Sequence, residues 1–189
     1  MTSCVNGGTN PPPGTNKKRM KLYLLGYMYS GKTTVGRSLA QQLGFGFVDL
    51  DQLFEERYHT SIPLFFNRYG EDAFRKLEQL MLHSTETMDN AVISTGGGTP
   101  CYFDNMEWIN AHGVSVYLNV SVAKIVQRAH ASKKIRPVLA NKSPEEFQAF
   151  IESQLAQRMS FYRMAQIHFP ADEPDISSLL RIIKTEDPT

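Results

Sequence analysis

The sequence predicts an α/β fold in which helices cover both faces of a parallel sheet. Strand-like and helix-like segments alternate along the chain, which is the order typical of parallel sheets. A glycine-rich loop at 26–34 lies between the first strand and the first helix, as phosphate-binding loops do. Such sheets bind ligands at the carboxyl ends of their strands, so the residues that follow each strand are the candidates for function.

The elements can be placed from apolar spacing. The segment 21–25 is a short apolar run of strand type, and 33–43 has apolar residues at helical spacing. Strands are predicted at 21–25, 45–49, 91–95, 114–119 and 167–169. Helices are predicted at 33–43, 50–58, 71–88, 103–112, 121–130, 143–165 and 176–184.

Composition narrows the function classes. Lys and Arg total 20 and Asp and Glu total 19 in 189 residues, and this balance argues against bulk nucleic-acid binding. The two cysteines, Cys4 and Cys101, form no disulfide framework and indicate a reducing compartment, so a cytoplasmic location is expected. No apolar run approaches membrane-spanning length, so no membrane partner is expected.

The first 19 residues differ in composition from the rest. They contain Asn, Gly, Thr and three consecutive prolines at 11–13, with almost nothing apolar. This predicts a disordered leader or an added segment over 1–19, followed by one domain over 20–189. Met20 is a candidate for the natural start.

The loop at 26–34 matches the phosphate-binding pattern G-x-x-x-x-G-K-[ST]. Backbone N–H groups of such a loop and of the following helix point at anionic oxygens. Lys32 would bridge the outer phosphates of a nucleotide, and the Thr33 hydroxyl would ligate Mg²⁺. The alternative is an ordinary glycine turn with a solvated lysine.

Two polar motifs follow later strands. After the second strand, Asp49 and Asp51 can point the same way, so that one holds hydrated Mg²⁺ and the other accepts a proton from a hydroxyl. The alternative is a surface loop in which Asp51 caps the next helix. After the third strand, the triple glycine 96–98 would let backbone approach a ligand closely, or would form a flexible turn.

Spacing alone does not decide the roles of three arginines. Arg75 follows Glu71 by four residues, as on a solvated helix face with ion pairs. Arg136 lies in a short basic segment that is either a lid closing over phosphate or an exposed loop. For Arg158, the spacing predicts a surface residue of a long amphipathic helix.

Together these motifs resemble shikimate kinase, over about 21–184. The matching pieces are Gly26-x4-Gly31-Lys32-Thr33, Asp49-x-Asp51, Gly70-Glu71 with Phe74-Arg75-x2-Glu78, Gly96-Gly97-Gly98, Arg136-Pro137-x-Leu139 and Arg158-x3-Tyr162. The resemblance implies a P-loop fold of the nucleoside-monophosphate-kinase type. This is a three-layer α/β/α sandwich with a five-stranded parallel sheet and a mobile lid at about 128–142. It also implies Mg²⁺-dependent transfer of the ATP γ-phosphoryl group to the 3-hydroxyl of shikimate, by a monomer.

The resemblance also assigns roles to residues. ATP would be bound by Tyr27, Met28, Tyr29, Ser30, Gly31, Lys32, Thr33, Thr34, Arg128 and Arg136, with Arg128 against adenine. Shikimate would be bound by Asp51, Phe66, Phe74, Arg75, Gly97, Gly98 and Arg158, with Arg75 and Arg158 on its carboxylate. Thr33 and Asp49 would hold Mg²⁺. Asp51 would act as base, with Lys32 and Arg136 as the other catalytic residues.

The chain departs from the family pattern at one position, and its motifs allow two alternative functions. Tyr29 occupies a loop position where the family often has glycine, and it carries strain if that position needs a positive φ. One rival is a gluconate or nucleotide kinase of the same fold, and the other is a non-catalytic ATP-binding module. The Phe-Arg, triple-glycine and lid motifs together favour shikimate.

Overall fold

The computed structural model describes residues 20–132 and 143–186. The predicted leader, Arg136 and most of the predicted lid lie outside the described residues. The strands are β1 (Lys21–Leu25), β2 (Gly46–Asp49), β3 (Ala91–Ser94), β4 (Val114–Asn119) and β5 (Ile167–Pro170). They form a five-stranded sheet in the order β2-β3-β1-β4-β5, with every neighbouring pair parallel. The predicted parallel α/β architecture is confirmed.

Helices follow the strands along the chain. They are α1 (Lys32–Leu43), α2 (Leu50–Tyr58), α3 (Ile62–His83), α4 (Asn105–His112), α5 (Val122–Ala131), α6 (Pro144–Tyr162) and α7 (Ile176–Glu186). Short 3-10 turns lie at Ser84–Thr87 and Thr99–Cys101. None of the helices in the described ranges combines the length and apolarity that crossing a bilayer requires.

The apolar interior consists of a main core around the sheet and a smaller cluster beside it. In β1, the successive residues Leu22 and Tyr23 point to opposite faces and are both 0% exposed, so the sheet is covered on both faces. The smaller cluster is built by α2 and α3, and we call it the α2–α3 cluster. Its buried members are Phe54, Phe65, Phe74 and Met81.

The predicted helix at 71–88 is wrong at both ends. The structure continues α3 back to Ile62, where the Ser61 hydroxyl accepts a hydrogen bond from the Leu64 N–H at 3.4 Å and caps the helix. Gly70 interrupts the helix at φ 81° and ψ 171°, so two helical stretches meet at a kink. Residues 84–87 form a 3-10 turn instead of a helical end.

The other predicted boundaries are close, with small corrections. Phe103 has φ 52°, which a helix cannot contain, so α4 starts at Asn105 rather than at 103. Helix α6 runs from Pro144 to Tyr162 rather than over 143–165. Smaller shifts affect β2, β3, β5, α1, α5 and α7 relative to the predicted 45–49, 91–95, 167–169, 33–43, 121–130 and 176–184.

Candidate active site

The phosphate loop joins β1 to α1 at the carboxyl edge of the sheet. Gly31 caps α1 at φ 95°, a backbone conformation that favours glycine. The Lys32 ammonium folds back over the loop, where Nζ donates to the carbonyl oxygens of Gly26 at 2.8 Å and Tyr27 at 3.0 Å. The lysine is therefore poised above the loop backbone, where the outer phosphates of a nucleotide would compete for it.

Tyr29 has φ 62°, so the condition under which a non-glycine residue at this position carries strain is met. Arg128 supports the same backbone, since its Nη1 donates to the carbonyl oxygens of Ser30 at 2.9 Å and Tyr29 at 3.3 Å. Its Nη2 donates to the carbonyl oxygens of Ala171 at 2.9 Å and Asp172 at 2.7 Å, just after β5. Arg128 thus ties the phosphate loop to the segment after β5, and its contact with adenine stays a prediction.

A cavity of about 190 Å³ opens in front of the phosphate loop. It is lined by Met28, Tyr29, Gly31, Lys32, Thr33, Thr34, Asp49, Asp51, Ser94 and Thr95. These residues lie at or just after the carboxyl ends of β1, β2 and β3, which are neighbours in the sheet. The structure therefore brings six of the predicted ATP-binding residues, both predicted metal residues and the predicted base to one cavity, whereas Tyr27, Ser30 and Arg128 do not line it.

Asp49 serves two purposes at the start of α2. Its Oδ1 accepts hydrogen bonds from the N–H groups of Asp51 at 3.1 Å and Gln52 at 3.4 Å, and its Oδ2 accepts one from the Thr33 hydroxyl at 2.7 Å. The alternative in which Asp51 caps this helix is therefore wrong, because Asp49 is the cap. The Thr33 hydroxyl and the Asp49 carboxylate are close enough to share one hard cation.

Arg75 is a buried ion-pair centre, which rules out the solvated helix face that spacing allowed. Its side chain is 10% exposed. Nε and Nη2 donate to Glu71 Oε1 at 3.1 and 2.8 Å, and Nη1 donates to Glu78 Oε2 at 2.7 Å. These three hydrogen bonds leave a second N–H on each terminal nitrogen for a ligand.

Aromatic rings surround the Arg75 guanidinium. The ring centroids of Tyr102, Phe74 and Phe66 lie 4.1, 5.1 and 5.9 Å from its Cζ. The Tyr102 hydroxyl also donates to Glu71 Oε1 at 2.8 Å. A Cβ on Gly98 would lie 2.8 Å from Nη2, so a side chain there would push the guanidinium away. The rings, carboxylates and glycine together fix where this charge can lie.

Glu78 is the buried partner that the predicted site set omits. It is 5% exposed, and its Oε1 accepts a hydrogen bond from the Thr99 hydroxyl at 2.6 Å. Burial raises the pKa of its carboxyl above the usual value, while Arg75 and the Thr99 hydroxyl offset part of that rise. A Cβ on Gly96 would lie 2.6 Å from Glu78 Oε1 and 2.9 Å from Asp51 Oδ1, so both carboxylates reach this glycine.

Arg158 approaches the triple glycine from α6. Its Nη2 donates to Gln154 Oε1 at 2.9 Å, and a Cβ on Gly97 would lie 3.5 Å from its Nη1. Gly97 itself is held by the Tyr162 hydroxyl, which donates to its carbonyl oxygen at 2.6 Å. Arg75 and Arg158 therefore reach adjacent glycines from two different helices.

The sequence reasoning missed Glu78, Tyr102 and Tyr162 as site residues. Glu78 and Tyr162 stand in the motifs themselves, and the spacing from Arg75 to Glu78 was a usable signal for an ion pair within a helix. No local pattern marks Tyr102, because the turn after the triple glycine carries its ring onto Arg75.

Comparison with known proteins identifies the family. The family model for shikimate kinase matches residues 28–185. A shikimate kinase from Parabacteroides distasonis is 48% identical over 153 residues, which cover 81% of this chain and 88% of that protein.

Solved structures agree with this match. The shikimate kinase of Bacteroides thetaiotaomicron has a TM-score of 0.83 at 41% identity, covering 88% of this chain and 97% of that one. The shikimate kinase of Acinetobacter baumannii, solved in complex with shikimate, has a TM-score of 0.81 at 31% identity, covering 91% and 97%. A gluconokinase from Sinorhizobium meliloti is 13% identical with a TM-score of 0.53 and shares the fold alone. By sequence and by structure, the chain belongs to the shikimate kinase family.

Proposed function

We propose that the chain transfers the ATP γ-phosphoryl group to the 3-hydroxyl of shikimate, giving shikimate 3-phosphate and ADP. One observation carries the proposal. Two arginines converge on the triple glycine beside Asp51, and Asp51 also lines the cavity in front of the phosphate loop. An anionic acceptor on the arginines and a triphosphate on the loop would therefore meet at Asp51.

The acceptor side suits a small carboxylate. Arg75 keeps one N–H on each terminal nitrogen, and such a pair matches the two oxygens of a carboxylate. Arg158 adds a second guanidinium from α6. Phe66 and Phe74, which already pack near Arg75, would wall the pocket. The Acinetobacter baumannii relative, solved with shikimate bound, supports this choice of acceptor.

Asp51 is the proposed base. Its carboxylate lies beside Gly96, between the acceptor glycines and the phosphate loop, so it can accept the proton that the 3-hydroxyl loses as its oxygen attacks phosphorus. The bond from the γ-phosphorus to the bridging oxygen breaks, and ADP leaves with the electron pair. Little covalent help is required, because positioning and charge neutralisation carry most of the catalysis in phosphoryl transfer.

The nucleotide side needs positive charge and hydroxyl donors. Lys32, with the N-terminus of α1, would hold the β- and γ-phosphates. Thr33 and Asp49 fit a magnesium site, since their oxygens lie 2.7 Å apart, and the ion would neutralise phosphate charge. Arg136 lies outside the described residues. Because it stands in the lid motif of the family, we propose that it closes over the phosphates and excludes water.

The test is an ADP-release assay with shikimate, gluconate and nucleoside monophosphates as parallel acceptors. We expect turnover with shikimate and none above background with the others. Arg158→Ala should raise the KM for shikimate and leave the KM for ATP unchanged. Arg163→Ala, an exposed arginine at the end of the same helix, is the matched control and should change neither. Turnover with gluconate alone would refute the proposed acceptor.

A further inference from the structure

Tyr27 belongs to the phosphate loop, yet its ring faces the acceptor side. It is 1% exposed, and its ring centroid lies 5.2 Å from Arg158 Cζ. A guanidinium over an aromatic face within about 6 Å is attracted by the ring, and more strongly where water is excluded. The ring therefore provides a buried surface on which the Arg158 charge rests.

Gly97 lies between the phosphate loop and Arg158. A Cβ at this glycine would lie 3.3 Å from Met28 N, 3.5 Å from Gly26 O and 3.5 Å from Arg158 Nη1. The phosphate loop, the triple glycine and the arginine thus touch one another without an intervening side chain. A shift of the loop backbone would be felt at Arg158 through direct contacts.

The two acceptor arginines are anchored differently. Arg75 is held by two carboxylates. In the part of the chain that the structure describes, no carboxylate lies within salt-bridge distance of Arg158. A neutral amide, that of Gln154, accepts its hydrogen bond at 2.9 Å. The Tyr27 ring, the Gln154 amide and the Tyr162 hydroxyl therefore hold Arg158 in place of the carboxylates that hold Arg75.

We infer that Tyr27 is a positioning residue for the acceptor: its ring face orients the Arg158 guanidinium toward the acceptor carboxylate. The inference rests on the proposed function and adds a determinant of acceptor affinity that lies within the phosphate loop. The Tyr27 side chain is buried and does not line the cavity in front of the phosphate loop, so a nucleotide held by this loop would contact the Tyr27 backbone and not its ring. A change of this side chain should therefore weaken shikimate binding more than nucleotide binding.

The test separates the ring face from the packing volume. Tyr27→Leu removes the ring and should raise the shikimate Kd by roughly three- to thirtyfold, the range of a cation–π contact from partly to fully desolvated. Tyr27→Phe keeps the ring and should stay within about twofold of the parent chain. Titration calorimetry with shikimate and, separately, with ATP should show that Tyr27→Leu changes the shikimate Kd by a larger factor than the ATP Kd.

A fluorinated series keeps the test valid where Tyr27→Leu folds poorly. Phenylalanine with increasing numbers of ring fluorines at position 27 keeps the shape and withdraws electron density from the face. The shikimate Kd should therefore rise stepwise with fluorination. In an Arg158→Met background the same series should be flat, because no guanidinium rests on the ring.

Controls distinguish this inference from the proposed function. Tyr23→Leu removes a buried core aromatic on β1, and its shikimate Kd should match the parent once both are shown to be folded. If the parent chain does not bind shikimate, the proposed function fails. If the parent binds it and the fluorinated series is flat, or if Tyr27→Leu binds it equally well, the inference about Tyr27 is overturned alone.

Discussion

Replacing Arg75 with methionine tests the buried ion pair on which the acceptor site is built. The substitution keeps an unbranched apolar stem among the rings but leaves Glu78, which is 5% exposed, without its cationic partner. Removing one member of a buried pair costs about 3–5 kcal/mol, because the remaining charge is uncompensated. For a chain of this size that corresponds to a fall in Tm of roughly 6–20 °C.

The loss should depend on pH in a defined direction. Burial already raises the pKa of Glu78, and losing Arg75 raises it further. A carboxyl with a raised folded-state pKa contributes stability that is present below its unfolded pKa and is lost as pH rises through the folded pKa. The destabilisation by Arg75→Met should therefore be small near pH 5 and grow toward pH 8, by up to about 1.4 kcal/mol per pH unit while Glu78 titrates.

The assay is urea unfolding at pH 5 and pH 8, followed by circular dichroism. The double variant Arg75→Met/Glu78→Gln removes both charges and keeps an oxygen to accept from the Thr99 hydroxyl. It should recover most of the stability and lose the pH dependence, while its shikimate affinity stays low because the Arg75 guanidinium is missing. If Arg75→Met alone destabilises the chain by less than about 1 kcal/mol at pH 8, or by equal amounts at both pH values, the ion-pair reasoning is refuted.

Three further outcomes are expected. Asp51→Asn should lower kcat by about 10²–10⁴-fold while calorimetry still shows ATP binding, and a variant that keeps most of its kcat would remove Asp51 as the base. Tyr29→Gly should be tolerated, within about 1 kcal/mol of the parent in urea unfolding, because lost strain offsets the flexibility of glycine. Its KM for ATP should stay equal or fall, and a large loss of ATP turnover would show that the ring acts directly. Burial raises the pKa of the Cys101 thiol to about 11, so iodoacetamide at pH 8 should modify it at least roughly tenfold more slowly than glutathione, because the smaller thiolate fraction outweighs the greater nucleophilicity of that thiolate. Peptide mapping measures the rate at Cys101. Equal rates would show that the thiol is accessible and ionised.

The sequence was sufficient to predict those parts of the site that contiguous residues form. The phosphate loop is a contiguous pattern between a strand and a helix, and Asp49 ends a strand that Asp51 closely follows. The parallel sheet then brings both to the same cavity. These features could be predicted because short-range pattern and strand order determine them.

The contacts around the arginines required the folded chain. Spacing placed Arg75 on a solvated face, but packing against Phe74 and Tyr102 buried it. The Tyr27 ring meets Arg158 only because the loop after β1 and helix α6 converge in the fold. The start of α3 had a usable signal in Ser61 followed by Pro63, but the glycine at the kink resembled a helix boundary.

The division of the interior into two clusters places the apolar support of Arg75 beside the core that holds the sheet and not within it. The main core holds the sheet and the phosphate loop, whereas the α2–α3 cluster, kinked at Gly70, carries Arg75 and its rings. Because the α2–α3 cluster buries four residues and the main core buries many more, we expect its amides to exchange in deuterated solvent sooner than those of β1.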